Sequence, residues 1–269
     1  MDRLRSYALA APRRFAAALA SATNEITRRT PAPRDFPFFA LEHPQGTGAK
    51  LLERLSELGI FRIYERVLDL SSGLGGPARW LARRRGCAVF AFEGSHDRAA
   101  ASRLLVRRSH LDTAVAVGLA AFARLPVRDA SFTHAWSVEA LHLETDKPAV
   151  FAELFRVVRP GGHVALQDWV RTPGSAPLVC AAYETVEHYL GGLRAAGFEA
   201  ARSVTAEALR EEQSTIAEIV GERVAEMLAE PRGVERRRLD DAQAHLSEWE
   251  RALAERRLLL VQIFARRPA

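Results

Sequence analysis

The chain alternates short apolar runs with longer amphipathic stretches. The segments "RVLDLSS" and "CAVFAFEGS" are apolar runs that end in small or polar residues, which is typical of buried parallel strands. Between them, "PARWLARRRG" predicts a helix, and the leucines of the preceding "AKLLERLSELGIF" fall on one face of another helix. The pattern therefore predicts a β-α-β unit in the first half of the chain.

The same alternation continues toward the C-terminus. It predicts, in order, a helix near 95–110, the strands "AVAVGL" and "FTHAWSV", the helix "KPAVFAELFRVV", a turn at "RPGG" and the strand "HVALQDWV". Residues 175–256 are mostly helical in pattern, with "AAGFEAARSV" as a stretch that returns a strand to the sheet, and "RLLLVQIFARRP" predicts a last edge strand. Strands separated by helices indicate a parallel sheet covered on both faces.

Composition narrows the class of protein. Hydrophobic residues make up 48% and charged residues 26% of 269 positions, which indicates a folded chain, and no apolar run is long enough to predict a membrane span. The net charge is +5, but the arginines are spread along the chain and their densest runs lack interleaved aromatics. This favours solvated helix ends over a nucleic-acid partner.

The cysteines and the N-terminus bear on location. Cys87 and Cys180 lie far apart outside any metal or disulfide motif, so we expect a cytoplasmic protein with no metal site. The first thirty residues predict an amphipathic cap helix, with an organellar transit peptide as the alternative.

The stretch "DLSSGLGGPARW" at 69–80 lies between a predicted strand and a predicted helix. Glycine removes the Cβ, so backbone N–H groups can approach a ligand closely, and the helix N-terminus adds partial positive charge. Gly73, Gly75 and Ala78 satisfy the G-x-G-x-x-G/A pattern, and Glu93 follows Gly73 by 20 positions. The loop alone fits either a dinucleotide or another adenosine cofactor.

Three motifs separate these alternatives. "VLDLSSGLGGPARWLA" resembles the first motif of the class I S-adenosylmethionine-dependent methyltransferases, an acid and two small residues followed by G-x-G-G. "LPVRDASFTHAWSVEAL" at 125–141 resembles the family's L-P-F-x-D-x-S-F-D segment, and "FAELFRVVRPGGHVALQDW" at 151–169 resembles its E-x-x-R-V-L-K-P-G-G turn. "WSVEALHLETDK" and "QDW" are most similar to the sterol, tocopherol and glycine-betaine group of small-molecule enzymes.

The resemblance implies a role for each matching residue. It places Asp69 near the methionine ammonium, passes the backbone of Gly73 and Gly75 under the cofactor, and assigns the two ribose hydroxyls to Glu93. Ser71 stands where the family commonly has its first glycine; a serine is tolerated there if its φ is negative, and its hydroxyl then helps to hold the methionine carboxylate.

Other positions depart from the family pattern. The acid that often contacts adenine should fall at 119–121, where the sequence is "LAA". Either the backbone of Ala121 and Phe122, with apolar packing, holds the adenine, or the cofactor is bound more weakly than is usual in the family. Thr133 replaces a usual acid, and Leu143 stands where many relatives have histidine. We also expect Trp136 to contact the cofactor.

Candidate catalytic residues follow the fourth and fifth predicted strands, because ligands of parallel sheets bind at the strands' carboxyl ends. Glu139, His142 and Asp168 are therefore predicted to serve the reaction, with Trp136 and Trp169 as walls. For His142 the alternative is a loop histidine without chemistry. The aromatics Phe36, Phe38, Phe39, Tyr183 and Tyr189 either line an apolar pocket or belong to the core.

Pattern and resemblance together predict an α/β protein. Its fold is a Rossmann-like, doubly wound sheet of about seven strands, mostly parallel with an antiparallel last strand, plus a helical lid. The expected divisions are an N-terminal cap and substrate-side loop at 1–48, a cofactor-binding core at 49–170, a helical lid with one returning strand at 171–256, and a final strand at 257–269.

The expected function is methyl transfer from S-adenosylmethionine to oxygen, nitrogen or carbon of a small molecule, in specialised metabolism, by a monomer or homodimer. Two alternatives stay open. One is a protein with the methyltransferase fold but without methyl transfer, either cyclase-like or partner-binding, and the other is an NAD-dependent dehydrogenase.

Overall fold

A computed structural model describes residues 2–28, 41–42, 48–178, 181–206, 215–228, 230–231 and 233–269. The strands are β1 (Arg66–Leu70), β2 (Ala88–Glu93), β3 (Val115–Leu119), β4 (Phe132–Val138), β5 (Val158–Arg171), β6 (Glu199–Ala206) and β7 (Leu258–Arg266). The helices are α1 (Asp2–Ala10), α2 (Pro12–Thr27), α3 (Ala49–Leu58), α4 (Gly76–Arg85), α5 (His96–Arg108), α6 (Lys147–Val157), α7 (Val186–Ala195), α8 (Thr215–Met227) and α9 (Val234–Ala254), with a short 3-10 turn at Leu141–Leu143.

The strands form one seven-stranded sheet in the order β3-β2-β1-β4-β5-β7-β6. The first five pair in parallel, whereas β7 runs antiparallel to both β5 and β6. The predicted fold class is therefore confirmed. The prediction that the last strand lies at the edge is wrong, because "AAGFEAARSV" forms β6 on the outer side of β7.

The predicted turn at "RPGG" is also wrong. These residues lie within β5, where the register with β4 shifts between Phe132 and His134. Gly161 has a φ of +75°, and a Cβ on Gly162 would fall 2.5 Å from the Thr133 carbonyl oxygen. The two glycines therefore accommodate an irregularity inside the strand.

Apolar side chains cover both faces of the sheet. On one face Phe132, Phe151 and Leu166 pack with α6 and α7. On the other face Leu52, Trp136 and Phe264 pack with α3 and α4. Burial on both faces explains why the central strands are nearly continuous apolar runs.

The N-terminal segment forms two helices rather than the single cap helix expected. Pro12, which lacks an N–H, begins α2, and a break at Ala11 separates α2 from α1. The Ser6 hydroxyl donates to the Gln243 side-chain oxygen at 2.9 Å and joins α1 to α9. None of the helices in the described ranges is long and apolar enough to cross a membrane.

Candidate active site

The strand order reverses between β1 and β4, and a cavity of about 380 Å³ opens at their carboxyl ends. Such a reversal creates the crevice in which open α/β sheets bind ligands. The cavity is lined by the loop after β1, by Glu93 at the end of β2 and by the segment 138–143 after β4. Helices α1 and α9 form the remaining walls, so the two halves of the predicted site share one cavity.

The glycine loop follows β1 with bare backbone facing this cavity. Gly73 has a φ of +57° and lines the cavity, and a Cβ built on it would meet nothing within 4 Å. Gly75 has a φ of +80° and precedes α4, and its Cβ would fall 2.4 Å from the Ser102 hydroxyl. Glycine is thus required at 73 by conformation and at 75 by conformation and close packing.

Ser71 corrects one expectation. Its φ is +59°, not negative, so the serine takes a left-handed conformation that favours glycine. Left-handed conformations cost a residue with a Cβ roughly 1 kcal/mol. Ser71 lies in the turn after β1 and lines the cavity. Backbone strain of this kind is often found at functional sites.

Glu93 forms part of the cavity wall and is 1% exposed. Its Oε2 accepts from the Gly73 N–H at 2.9 Å, and its Oε1 accepts from the Ser95 N–H at 2.8 Å and from the Arg98 Nε at 3.0 Å. Two backbone amides and a guanidinium fix the carboxylate next to the glycine loop. The structure therefore places three predicted cofactor residues, Glu93, Ser71 and Gly73, in the wall of one cavity.

Gly75 is not among the residues that line the cavity, and four other predicted cofactor residues do not line it either. Asp69 and Trp136 are paired across β1 and β4 and are buried in the sheet, where burial raises the pKa of Asp69 well above its usual range. Ala121 is exposed and Phe122 packs in the core beside β2 and β3. Their contacts with a cofactor stay predictions.

His142 and Asp168 form a buried pair. The His142 Nδ1 lies 2.6 Å from Asp168 Oδ1, and the two side chains are 2% and 1% exposed. The His142 ring stacks on Tyr183 with centroids 4.8 Å apart and planes 3° apart. With Asp168 as the acceptor of this hydrogen bond, the hydrogen lies on Nδ1 and Nε2 can itself accept. His142 also lines the cavity.

Glu139 lies in the same cavity wall and also has a left-handed backbone, with a φ of +53°. Its two carboxylate oxygens accept from Gln167 Nε2 at 2.9 Å and from Trp169 Nε1 at 3.2 Å. Burial raises the pKa of Glu139 to about 7, although both hydrogen bonds oppose the rise. This carboxyl group is therefore partly protonated near neutral pH.

The raised pKa of Glu139 makes a stability prediction. A carboxyl whose pKa is higher in the folded chain favours folding below its unfolded pKa, and this advantage is lost as pH rises through the folded value of about 7. Relative to Glu139→Gln, the wild-type protein should lose about 3 kcal/mol of unfolding free energy between pH 4.5 and pH 8. Urea titrations across this range would measure the difference, and parallel curves for the two proteins would contradict the assignment.

The structure adds cavity residues that the pattern did not indicate. Glu42 lines the cavity and pairs with Arg79, whose Nη1 also donates to the Leu74 carbonyl at 2.9 Å. Asp241 and His245, one turn apart on α9, line its outer wall. The sequence pattern marks Asp241 and His245 as neighbours on one face of a helix. It does not show which face of that helix turns toward the cavity, so these two residues could not be assigned to the site.

The predicted aromatic pocket is only partly described. Tyr183 and Tyr189 are buried beside His142 and Asp168 rather than lining the cavity. Phe36, Phe38 and Phe39, with most of "HPQGTG", lie outside the described residues. The corresponding pocket prediction is therefore untested.

The residues present fit S-adenosylmethionine. The space above Gly73 admits a ligand against bare backbone, and the N-terminus of α4 beside it favours a carboxylate. Glu93 presents a fixed carboxylate of the kind that binds two ribose hydroxyls. Within the described ranges, no cluster of three or more histidine, cysteine or acidic side chains is arranged to hold a metal.

Comparisons with known proteins agree with this geometry. Residues 68–166 match the family model described as "Methyltransferase domain". Methyltransferase GfsG of Streptomyces halstedii is 36% identical over 123 residues, which cover 46% of this chain and 44% of that protein. The 27-O-demethylrifamycin SV methyltransferase of Amycolatopsis mediterranei is 30% identical over 162 residues, which cover 56% of this chain and 60% of that protein. The chain thus spans less than two thirds of both relatives.

A solved structure shows the same fold. The [4+2]-cyclase SpnF superposes with a TM-score of 0.66 at 21% identity, over 85% of this chain and 83% of that one. The motifs and the family match concern the same central segment. Residues 68–166 thus match a methyltransferase domain, and the motifs of this segment resemble those of the class I S-adenosylmethionine-dependent methyltransferases.

Proposed function

We propose that this protein transfers a methyl group from S-adenosylmethionine to a hydroxyl group of an apolar small molecule, with His142 as the general base. The observation that carries the proposal is the 2.6 Å contact between Asp168 Oδ1 and the Nδ1 of His142, a residue that lines the cavity. Hydroxyl acceptors need such a base because they carry a proton that must leave as the new bond forms.

The pair is built for proton transfer. His142 Nε2 accepts the proton of the acceptor hydroxyl, and the buried Asp168 carboxylate stabilises the imidazolium that results. S-adenosylmethionine, when bound, supplies an electrophilic methyl group on a positively charged sulfur. No covalent link to the protein is needed, so the remaining tasks are to orient the acceptor and to exclude water.

Glu139 is the second titratable group that faces the acceptor. With a pKa of about 7 it changes charge near neutral pH. In its ionised form it adds negative charge to a wall that faces a cationic cofactor. We assign it an electrostatic role, with the proton going to His142.

The cavity favours an acceptor with an apolar body. Leu9, Val138, Leu143 and Leu246 line it, and Leu143 is 45% exposed at its mouth. The polar groups Asp241 and His245 on α9 are placed to contact a few polar substituents. We propose that segments 1–48 and 171–256 act as the lid over the core, since α1 and α9 supply these walls.

The relatives support an acceptor from specialised metabolism. The name of the Amycolatopsis relative states a rifamycin that lacks a methyl group at the 27-oxygen as its acceptor. A protein similar to this chain thus carries a name that states methylation at an oxygen, which supports the proposed hydroxyl acceptor. We therefore propose a role in natural-product biosynthesis.

Ligand binding and methyl transfer test the proposal. With a Kd of about 10 μM, S-adenosylmethionine or S-adenosylhomocysteine at about 1 mM should add about 2.7 kcal/mol of stability and raise Tm by roughly 5 °C or more. NAD should give no shift. Label from methyl-labelled S-adenosylmethionine should appear in hydroxylated apolar compounds and not in their O-methylated counterparts.

Other outcomes would contradict the proposal in distinct ways. Absence of a Tm shift with both sulfur compounds would exclude methyl transfer, and a shift with NAD would favour a dehydrogenase. Binding of S-adenosylmethionine with ring closure of an acceptor but no label transfer would favour a cyclase-like role, which SpnF shows to be compatible with this fold. Label on amine or carbon acceptors alone would refute the hydroxyl assignment.

A further inference from the structure

Asp168 receives hydrogen bonds from three different parts of the chain. Its Oδ1 accepts from His142 Nδ1 at 2.6 Å and from the Trp169 N–H at 2.9 Å. Its Oδ2 accepts from the Tyr189 hydroxyl at 2.6 Å. The two oxygens of this carboxylate thus have different partners, and a rotation about its Cβ–Cγ bond would break all three contacts.

The fold holds Tyr189 rigidly in this position. Tyr189 lies in the first turn of α7, is fully buried and packs against Phe151 with ring centroids 5.9 Å apart. The Lys147 ammonium lies 5.8 Å from its ring centroid and donates to the Ala182 carbonyl at 2.6 Å. Lys147 also donates to the Glu144 carbonyl at 2.7 Å, so it ties the segments before α7 and after β4 together.

We propose that Tyr189 is a positioning residue for the His142–Asp168 pair. By fixing Asp168 Oδ2, the hydroxyl holds Oδ1 toward His142 Nδ1 and keeps the imidazole in the tautomer with Nδ1–H. Nε2 then stays unprotonated and faces the cavity as an acceptor. The inference deepens the proposed function, on which it rests for the use of His142 as a base.

The electrostatic surroundings keep Tyr189 a donor. Burial raises the pKa of the Tyr189 hydroxyl well above its usual range, and the neighbouring Asp168 carboxylate raises it further. The hydroxyl is therefore protonated at neutral pH. It can donate to the carboxylate, but it does not serve as a base itself.

Nitrogen NMR of histidine-labelled protein tests the proposal without any substrate. The His142 signals are assigned by their loss in His142→Asn. In the wild-type protein we expect Nδ1 to be protonated and Nε2 to be unprotonated. In Tyr189→Phe we expect both shifts to move toward the average of the two tautomers, because Asp168 Oδ2 loses its partner and the carboxylate is held at Oδ1 alone.

Tyr7→Phe is the matched control. The Tyr7 hydroxyl is also buried and donates at 2.6 Å, but to the Leu228 carbonyl between α1 and α8. The Tyr7→Phe substitution should leave the nitrogen shifts of His142 unchanged. Unchanged shifts in Tyr189→Phe as well, or a wild-type His142 with its hydrogen on Nε2, would overturn the proposal.

A second measurement uses the unsubstituted protein, in case Tyr189→Phe does not fold. The Tyr189 hydroxyl proton should give a slowly exchanging resonance with contacts to the Phe151 ring, and rapid exchange with water would overturn the proposal. Once an acceptor is known, Tyr189→Phe should lower kcat about ten-fold and change both KM values less than about two-fold. The tautomer result stands or falls independently of whether methyl transfer is found.

Discussion

Replacing His142 with asparagine should lower kcat for methyl transfer by about 10²- to 10⁴-fold, the usual contribution of a general base. Asparagine places an amide N–H near the position of Nδ1, so it can keep the contact with Asp168 while removing the basic Nε2. The Kd for S-adenosylhomocysteine should change less than about three-fold, because the proposed role of His142 is toward the acceptor and not toward the cofactor. Steady-state kinetics with labelled cofactor and calorimetry would measure the two effects.

His134→Asn is the matched control for this variant. His134 is likewise buried, but it lies near the start of β4, away from the cavity, beside Thr133 and Glu65. The kcat of the His134→Asn variant should stay within about two-fold of the wild-type value. A His142→Asn enzyme with nearly normal kcat would show that the acceptor needs no base at this position.

Replacing Glu93 with glutamine should weaken binding of S-adenosylmethionine and S-adenosylhomocysteine by about 100-fold, which corresponds to about 2.7 kcal/mol. The amide cannot accept on both atoms, so it loses either the Gly73 contact or the contacts with Ser95 and Arg98. It also loses the charge that strengthens hydrogen bonds from ribose hydroxyls. Isothermal titration calorimetry with S-adenosylhomocysteine measures the change directly.

Part of any effect at Glu93 comes from stability, so a second buried glutamate is needed for comparison. Glu153 accepts from the Leu125 N–H at 2.5 Å and from Arg156 at 2.6 Å, outside the cavity. Glu153→Gln should lower the free energy of unfolding by about 1 to 3 kcal/mol, as Glu93→Gln does, but should leave the Kd unchanged. Equal Kd values for both variants and the wild type would remove Glu93 from the cofactor site.

The parts of the fold that repeat a simple physical rule could be predicted from the sequence. Strands buried on both faces must be apolar throughout, and this rule predicts the β-α-β core. A glycine loop at the end of such a strand opens a ligand crevice, and this rule predicts that Gly73 and Glu93 lie close together. The joining of His142 to Asp168 followed from the rule that parallel strands present their carboxyl ends together.

The features that depend on lateral packing could not be predicted. The order of the antiparallel strands depends on pairing between distant segments. The sequence pattern therefore predicts β7 at the edge of the sheet, whereas it lies between β5 and β6. The φ of Ser71 is imposed by the turn rather than by the residue type. The hydroxyl of Tyr189 reaches Asp168 across 21 positions of sequence, and no local pattern marks an aromatic residue as a hydrogen-bond donor to a particular carboxylate.

The position of β7 between β5 and β6 also shapes how the protein is made. Until residues 258–266 have left the ribosome, β5 has a bare edge on that side and β6 lacks its partner strand. Nascent or truncated chains therefore expose unpaired backbone that can join other chains until β7 pairs with β5 and β6.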